Sequence, residues 1–390
     1  MPNAERKILT WVDAHLPVIV VLAVLLMGLI MRLPLKDHVS ADSYFFLLPW
    51  YERIKENGLS VQVGDYNLLY QFLIYLMTKL SVEPLYAYKG LSILFDYLMA
   101  AGVGLLVWNL SRDRWKSILA YVIAVLSPIV VLNSAAWGQC DSIFCCFCVF
   151  ALLALLKERW GLSMILLGVA LSFKLQAIFL LPVFLFVYYQ RRKFSLLHFG
   201  LIPVAMCLTG LPMVFFGRNL LDIFSIYGSQ TGTYPFISMN YPSSWLLLAQ
   251  ERSAEQFALL KVPAMLLTVA VLAVLMILWL RKKTEPTGLN LLIMAFLMIY
   301  TCVLFLPSMH ERYGYLYEIL AIALAVLIPR TIPLCAGLLG ISLCTYGNYL
   351  FGTETFGLVT LTVLNLMIYG GYLAIFFRQQ DQSAQPGIAS

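Results

Sequence analysis

The chain has 390 residues, of which 61% are hydrophobic and only 12% charged, with a mean hydropathy of +0.85. That is more apolar surface than a soluble core can hide, so composition excludes a soluble globular class and predicts an all-α, polytopic membrane protein. The net charge of +6 comes mostly from basic turns between apolar runs, so it gives no argument for nucleic acid as a partner.

Apolar runs near the spanning length of about 20 residues fall at residues 16–33, 85–110, 117–132, 142–156, 161–173, 177–189, 195–216, 256–280, 288–306, 315–328, 331–350 and 357–377. This pattern predicts twelve spans within one transmembrane domain over residues 1–380, followed by a short polar tail at 381–390. The first run follows a basic segment and shows no small-residue cleavage site, so it reads as a retained anchor. With Arg6 and Lys7 in the cytoplasm, the basic turns at 112–116, 157–159, 191–193 and 281–283, with Arg330 and Arg378, share that side. This holds only if the apolar stretch 67–80 does not cross, which predicts a short re-entrant or interfacial helix there. Both termini are then cytoplasmic, and the longer loops, which carry most of the unusual polar residues, face outward.

The first outer loop contains Lys36, Asp37, Ser40, Asp42, Pro49 and Asn57-Gly58. Ser40 is a candidate helix N-cap and Asn57-Gly58 a helix stop, so an amphipathic surface helix kinked at Pro49 is expected. Asp42 falls in its first turn, near the exit of the first span. Asp37 and Asp42 have two readings, as loop or cap carboxylates or as functional acids. Asn133-Ser-Ala-Ala-Trp137-Gly-Gln139-Cys-Asp141 follows at the mouth of the third and fourth spans. Here Trp137 and Gln139 suit a sugar, although an aromatic belt and a simple N-cap at Asp141 account for the same residues.

Lys174 stands between two short apolar segments, where a lone ammonium costs up to ~3 kcal/mol, so it needs an anionic partner or must snorkel. Gln176 lies two residues on. Pro307-Ser-Met-His310-Glu311-Arg312-Tyr313 places a histidine, an acid and an arginine together, and the arginine fork suits phosphate oxygens. With four histidines in the chain, a zinc-protease reading fails. Cys140, Cys145, Cys146 and Cys148 continue into an apolar span without ligating partners and read as small apolar filler. The loop 227–245 is rich in Tyr, Asn, Gln and Trp, as carbohydrate-binding loops are.

Ser40-Ala-Asp42 with Phe46-Leu-Leu-Pro-Trp50, the run 133–141, Leu171-Ser-Phe-Lys-Leu-Gln-Ala177 and Met309-His-Glu-Arg-Tyr313 together resemble the bacterial relatives of GPI mannosyltransferase II. These are integral membrane glycosyltransferases of the GT-C class, and the likeness covers residues 15 to 330. The resemblance implies transfer of a hexose, mannose favoured over glucose or galactose, from a polyprenyl-phosphate carrier to a glycan or lipid-linked glycan acceptor. The site would lie on the extracytoplasmic face of a bacterial plasma membrane, and the transfer would invert the anomeric centre. It also implies Asp42 as general base; Asp37, Asp65 and Asp141 are the candidate secondary acids among the neighbouring residues. Relatives usually carry Asn-Tyr-Asn-Pro-Pro-Tyr where this chain has Asp65-Tyr-Asn-Leu-Leu-Tyr70, a departure that bears on the acceptor pocket more than on the chemistry.

Chemically, such a transfer needs a base for the acceptor proton, cations for the leaving phosphate and a groove for the lipid. Lys174, His310 and Arg312 are the phosphate-binding candidates. Trp137, Gln139, Gln176, Glu311 and Tyr313 are the candidates for sugar and acceptor. No cofactor is required; a divalent cation is compatible but not demanded. Two rivals remain, a flippase or transporter of lipid-linked sugar, and a polymerase of lipid-linked saccharides. Transporters usually carry charges near the midplane and an internal repeat, whereas the charged motifs here gather at one end of the spans.

Overall fold

The computed structural model describes residues 3–64, 66–230 and 234–383. Without water, an apolar stretch can satisfy its backbone only within itself, so uninterrupted apolar runs become helices. Each of the twelve apolar runs does so. In chain order the helices are α1 (Asn3–Arg32), α2 (Leu48–Asn57), α3 (Leu68–Met77), α4 (Pro84–Ser111), α5 (Arg114–Leu126) and α6 (Pro128–Val131). Next come α7 (Asp141–Leu156), α8 (Trp160–Leu171), α9 (Leu181–Arg191), α10 (Leu201–Phe215) and α11 (Asp222–Gln230). The series closes with α12 (Ala254–Arg281), α13 (Gly288–Phe305), α14 (Tyr315–Leu327), α15 (Ile332–Phe351) and α16 (Leu358–Ser383). The fold is all-α and polytopic, apart from a two-residue parallel pair, β1 (Ser238–Met239) with β2 (Met309–His310).

Among the described residues seven helical stretches are long and apolar enough to cross a membrane, and the bent pair Arg114–Leu126 with Pro128–Trp137, taken as one span, makes an eighth. The remaining four expected spans are shorter apolar helices, because glycine, proline or basic turns cut them to between 12 and 17 residues. Of these, α7 and α14 lie largely inside the protein, as does the longer α13, while α8 buries half of its residues. Around them α1, α10 and α12 present exposed Leu, Val, Ile and Phe, the surface expected against lipid. Small residues allow the close approaches: a Cβ on Gly168 of α8 would stand 2.6 Å from the Ile202 carbonyl oxygen, which ties α8 to α10.

α3 has ten residues, about 15 Å of helix, half of a hydrocarbon core of about 30 Å. It therefore does not span on its own, in keeping with the interfacial reading of 67–80. The last helix runs on to Ser383, past the expected domain edge at residue 380. Residues 384–390 of the expected tail lie outside the described residues.

Two buried charged features carry no signal in the sequence. Arg32, at the end of α1, donates to Asp96 of α4 at 2.7 and 3.2 Å, and both side chains are buried. Glu318, in the first turn of α14, is buried and accepts a hydrogen bond from Ser342. A pair of opposite charges leaves no trace in hydropathy when its members stand 64 residues apart. Lys89 of α4 is likewise buried, and donates to the carbonyl oxygens of Leu35, Lys36 and His38 at 2.7, 2.9 and 2.7 Å. That contact pins the turn after α1, and so the loop that carries Asp42.

Candidate active site

The first loop and the 133–141 segment are joined through one carbonyl. The hydroxyls of Ser40 and Ser43 both donate to the Trp137 carbonyl oxygen, at 2.9 and 3.1 Å. Ser40 also caps its helix, accepting from the Ser43 backbone N–H at 3.1 Å. Asp42 is therefore free of capping duty. The chain continues as a π-helical turn, Ser43–Leu47, into α2, where Pro49 sits in the first turn and its missing N–H breaks nothing. The irregularity expected at Pro49 falls instead in the π-turn that precedes it, while Gly58 ends α2 at φ 66°, as the Asn-Gly signal required. A second π-turn, Leu132–Trp137, ends at Gly138 with φ 75°, a conformation glycine adopts without strain. It turns the Trp137 indole and the Gln139 amide toward Asp42.

Asp42 is buried and held by three donors. Trp137 Nε1 and Gln139 Nε2 donate to its Oδ2 at 2.9 and 2.5 Å, and the Tyr349 hydroxyl donates to its Oδ1 at 2.5 Å. The Gln139 amide is oriented in turn by Tyr66, whose hydroxyl donates to Gln139 Oε1 at 2.7 Å. Burial pushes the Tyr66 phenol well above its usual range, so it stays a donor. Trp137 and Tyr349 stack at 4.6 Å with an interplanar angle of 20°, a contact worth about 0.5–1.5 kcal/mol.

Arg312 stands at the centre of the cluster. Its Nη1 donates to Glu311 Oε1 at 3.0 Å and lies 3.6 Å from Asp42 Oδ2. Its Nε is 3.8 Å from Asp141 Oδ2, and the guanidinium sits 5.2 Å over the Trp137 ring. Burial opposes its charge, but Asp42 and its neighbours more than restore it, and its pKa lies well above the ordinary value. For Glu311 burial wins over the adjacent Arg312, and its carboxyl is pushed up to about 7. His310 is fixed by the strand pair and by ring contacts with Tyr234 at 5.0 Å and Tyr313 at 4.8 Å. Burial first, then the charges of Arg312 and Lys174, lower its pKa well below 6.5. It is therefore neutral near pH 7, and among the phosphate-binding candidates it brings a hydrogen bond and no charge.

The anion that Lys174 required is Asp141, to which it is salt-bridged with both side chains buried. Asp141 also accepts from Asn133 at 2.8 Å. It caps nothing, since Cys140 occupies the cap position and no side chain caps α7. Cys140 is itself buried, which raises its thiol to about 11, and all eight cysteines are free.

These residues border a cavity of about 960 Å³. Asp42, Tyr66, Gln139, Lys174, Gln176, Tyr313, Tyr349 and the run 308–312 form its polar lining. Its apolar wall comes from Phe257 and Met265 of α12 and from Leu175, Ile178 and Phe179. Asp42, Gln139, Lys174, Gln176 and the 310–313 run, expected to act together, do meet at one cavity, with Trp137 and Asp141 directly behind it. Asp37 does not join them: it is exposed, accepting from Tyr86 at 2.6 Å, because its side chain points away from the loop's buried edge. Asp65 lies outside the described residues. Tyr66, Tyr349, Arg252 and Lys261 were not anticipated; a tyrosine in an apolar run carries no sign of what its hydroxyl meets. Among the described residues no group of three or more His, Cys, Asp or Glu side chains is arranged to hold a metal ion.

The family model described as glycosyltransferase family 87 matches residues 66–307, more than half of the chain. A stretch of 121 residues, 29% of this chain, is 31% identical to GPI mannosyltransferase 1 of Saccharomyces cerevisiae. The chain spans only 30% of that protein's length. That relative is distinct from GPI mannosyltransferase II, whose bacterial relatives the motifs resemble. The family match starts after Asp42 and stops short of His310, so the roles of those residues rest on the geometry above. The chain belongs to glycosyltransferase family 87, and its described residues carry seven or eight helices long and apolar enough to cross a membrane.

Proposed function

We propose that the enzyme transfers a hexose, with mannose favoured, from a polyprenyl-phosphate carrier to a hydroxyl of a glycan or lipid-linked glycan, with inversion. The observation that carries this reading is a buried carboxylate, Asp42, fixed by three donors beside Arg312, at the polar end of a cavity whose other wall is apolar. Among the described residues Asp42 Oδ1 accepts from Tyr349 alone and keeps a lone pair for the acceptor proton. As that O–H breaks, the acceptor oxygen bonds to the anomeric carbon and the bond from that carbon to the phosphate oxygen breaks. Charge developing on the phosphate is met by Arg312. His310 adds a neutral hydrogen bond, and Lys174 lines the same cavity with its charge shared by Asp141. Gln139, Gln176, Glu311 and Tyr313 then border the sugar and acceptor, and the apolar wall admits the first units of the polyprenyl chain.

The basic turns support an extracytoplasmic site with cytoplasmic termini in a bacterial plasma membrane, and residues 1–380 acting as one domain. In intact cells, labelling of a cysteine placed at the exposed Ser60, with Lys116→Cys protected, is the expected outcome; the reverse would invert this orientation. The decisive assay incubates purified protein with radiolabelled polyprenyl-phosphate mannose, glucose or galactose and follows sugar leaving its carrier. Turnover with none of the three, alongside turnover with a lipid-diphosphate oligosaccharide, would favour a polymerase instead.

A further inference from the structure

The cavity holds a second set of cations that the transfer chemistry leaves unused. At its buried end each cation has carboxyl partners within the protein, Lys174 with Asp141 and Arg312 with Asp42 and Glu311. Arg252 and Lys261 line the same cavity, and among the described residues neither makes an ion pair with a carboxylate. Lys261 belongs to the stripe Phe257, Lys261, Met265 that faces the cavity, its ammonium 5.6 Å from the Phe257 ring. Leu259, Val262 and Leu266 on the rest of α12 are exposed as lipid-facing surface. A lysine that merely snorkels has the whole membrane boundary open to it; this one is turned into the cavity. Arg252, exposed just ahead of α12, brings a planar fork to the same wall.

The cavity, at about 960 Å³, lies near the top of the ~300–1,000 Å³ range of small-ligand sites. It therefore has room beyond one hexosyl phosphate. We propose that Arg252 and Lys261 form a second phosphate site, separate from the Asp42 and Arg312 cluster, which takes the phosphate ester of a lipid other than the donor. The inference rests on the reading above in assigning the first phosphate to the Arg312 end. Two unpaired cations beside apolar Phe257 and Met265 match an anionic ester carried on a hydrocarbon chain, and a free sugar would use neither feature.

The test is equilibrium binding to the purified full-length protein of two probes, polyprenyl phosphate and phosphatidylglycerol. Saturating polyprenyl phosphate should leave phosphatidylglycerol binding in place. Arg252→Gln with Lys261→Gln should weaken phosphatidylglycerol by about thirtyfold, which is about 2 kcal/mol for two surface cations, and change polyprenyl phosphate less than threefold. Arg252→Lys with Lys261→Arg, which keeps both charges, should retain binding within a few-fold, separating charge loss from misfolding. A mannosylated phosphatidylglycerol that binds tighter than the plain lipid assigns the site to the acceptor, and equal binding assigns it to a bulk phospholipid. If the two probes compete, or if the Gln pair loses polyprenyl phosphate or leaves both probes unchanged, the second site is refuted. None of these readings needs sugar transfer, so a failure of the transfer assay is distinguishable from a failure here.

Discussion

Asp42→Asn separates a proton acceptor from a structural carboxylate, because the surrounding donors allow the amide to fit. Its oxygen can replace Oδ2 and keep the hydrogen bonds from Trp137 Nε1 at 2.9 Å and Gln139 Nε2 at 2.5 Å. Its NH2 then faces Tyr349, whose hydroxyl turns from donor to acceptor. Arg312 loses a carboxylate at 3.6 Å but keeps Glu311 at 3.0 Å and Asp141 at 3.8 Å. Folding and donor affinity should therefore change little, with donor Kd within about threefold. An amide cannot take the acceptor proton, and general-base assistance is worth about 10²–10⁴ in rate, or roughly 3–5 kcal/mol of barrier. The assay is single-turnover transfer from radiolabelled polyprenyl-phosphate mannose, with donor binding measured on the same preparation. Turnover within threefold of wild type would refute the base assignment; lost binding with poor folding would mark Asp42 as structural.

Arg312→Lys should lower transfer at least about tenfold, since an ammonium cannot reproduce the fork that reaches Glu311, Asp42 and Asp141 together; an unchanged kcat would remove Arg312 from the reaction. Lys174→Met takes from buried Asp141 its closest cation and leaves Arg312 Nε at 3.8 Å; breaking a buried pair typically costs about 3–5 kcal/mol, and adding Asp141→Asn should restore most of the lost thermal stability; a double variant no more stable than Lys174→Met would show that the pair is not the reason for the lysine. Glu311, pushed up to about 7 by burial, has a folded-state pKa above that of the unfolded chain, so its contribution to stability is present below about pH 4.5 and is lost as pH rises through about 7. Glu311→Gln should remove roughly 3 kcal/mol of that decline between pH 4.5 and 8, read as a flatter dependence of unfolding temperature on pH; parallel curves for variant and wild type would contradict it.

The class was legible because it depends on local composition: an apolar run must satisfy its own backbone in lipid wherever it sits in the chain; the expected twelve spans were not all matched, since seven or eight helices among the described residues are long enough to cross. The polar outliers were legible for the same reason. Asp42, Lys174 and the 310–313 run are conspicuous against apolar neighbours, and they do border one cavity. What local pattern could not contain is partner choice. Lys174 was expected to need an anionic partner, and the one it meets is Asp141, 33 residues away. The donors that orient Asp42 come from 95, 97 and 307 residues further along. Tyr349 reads in sequence as one more aromatic in an apolar helix, and Arg32 and Asp96 as isolated charges in separate spans. Only packing decides which of them face each other, because a hydrogen bond or ion pair in a low-dielectric interior depends on separations of a few ångströms that hydropathy does not encode.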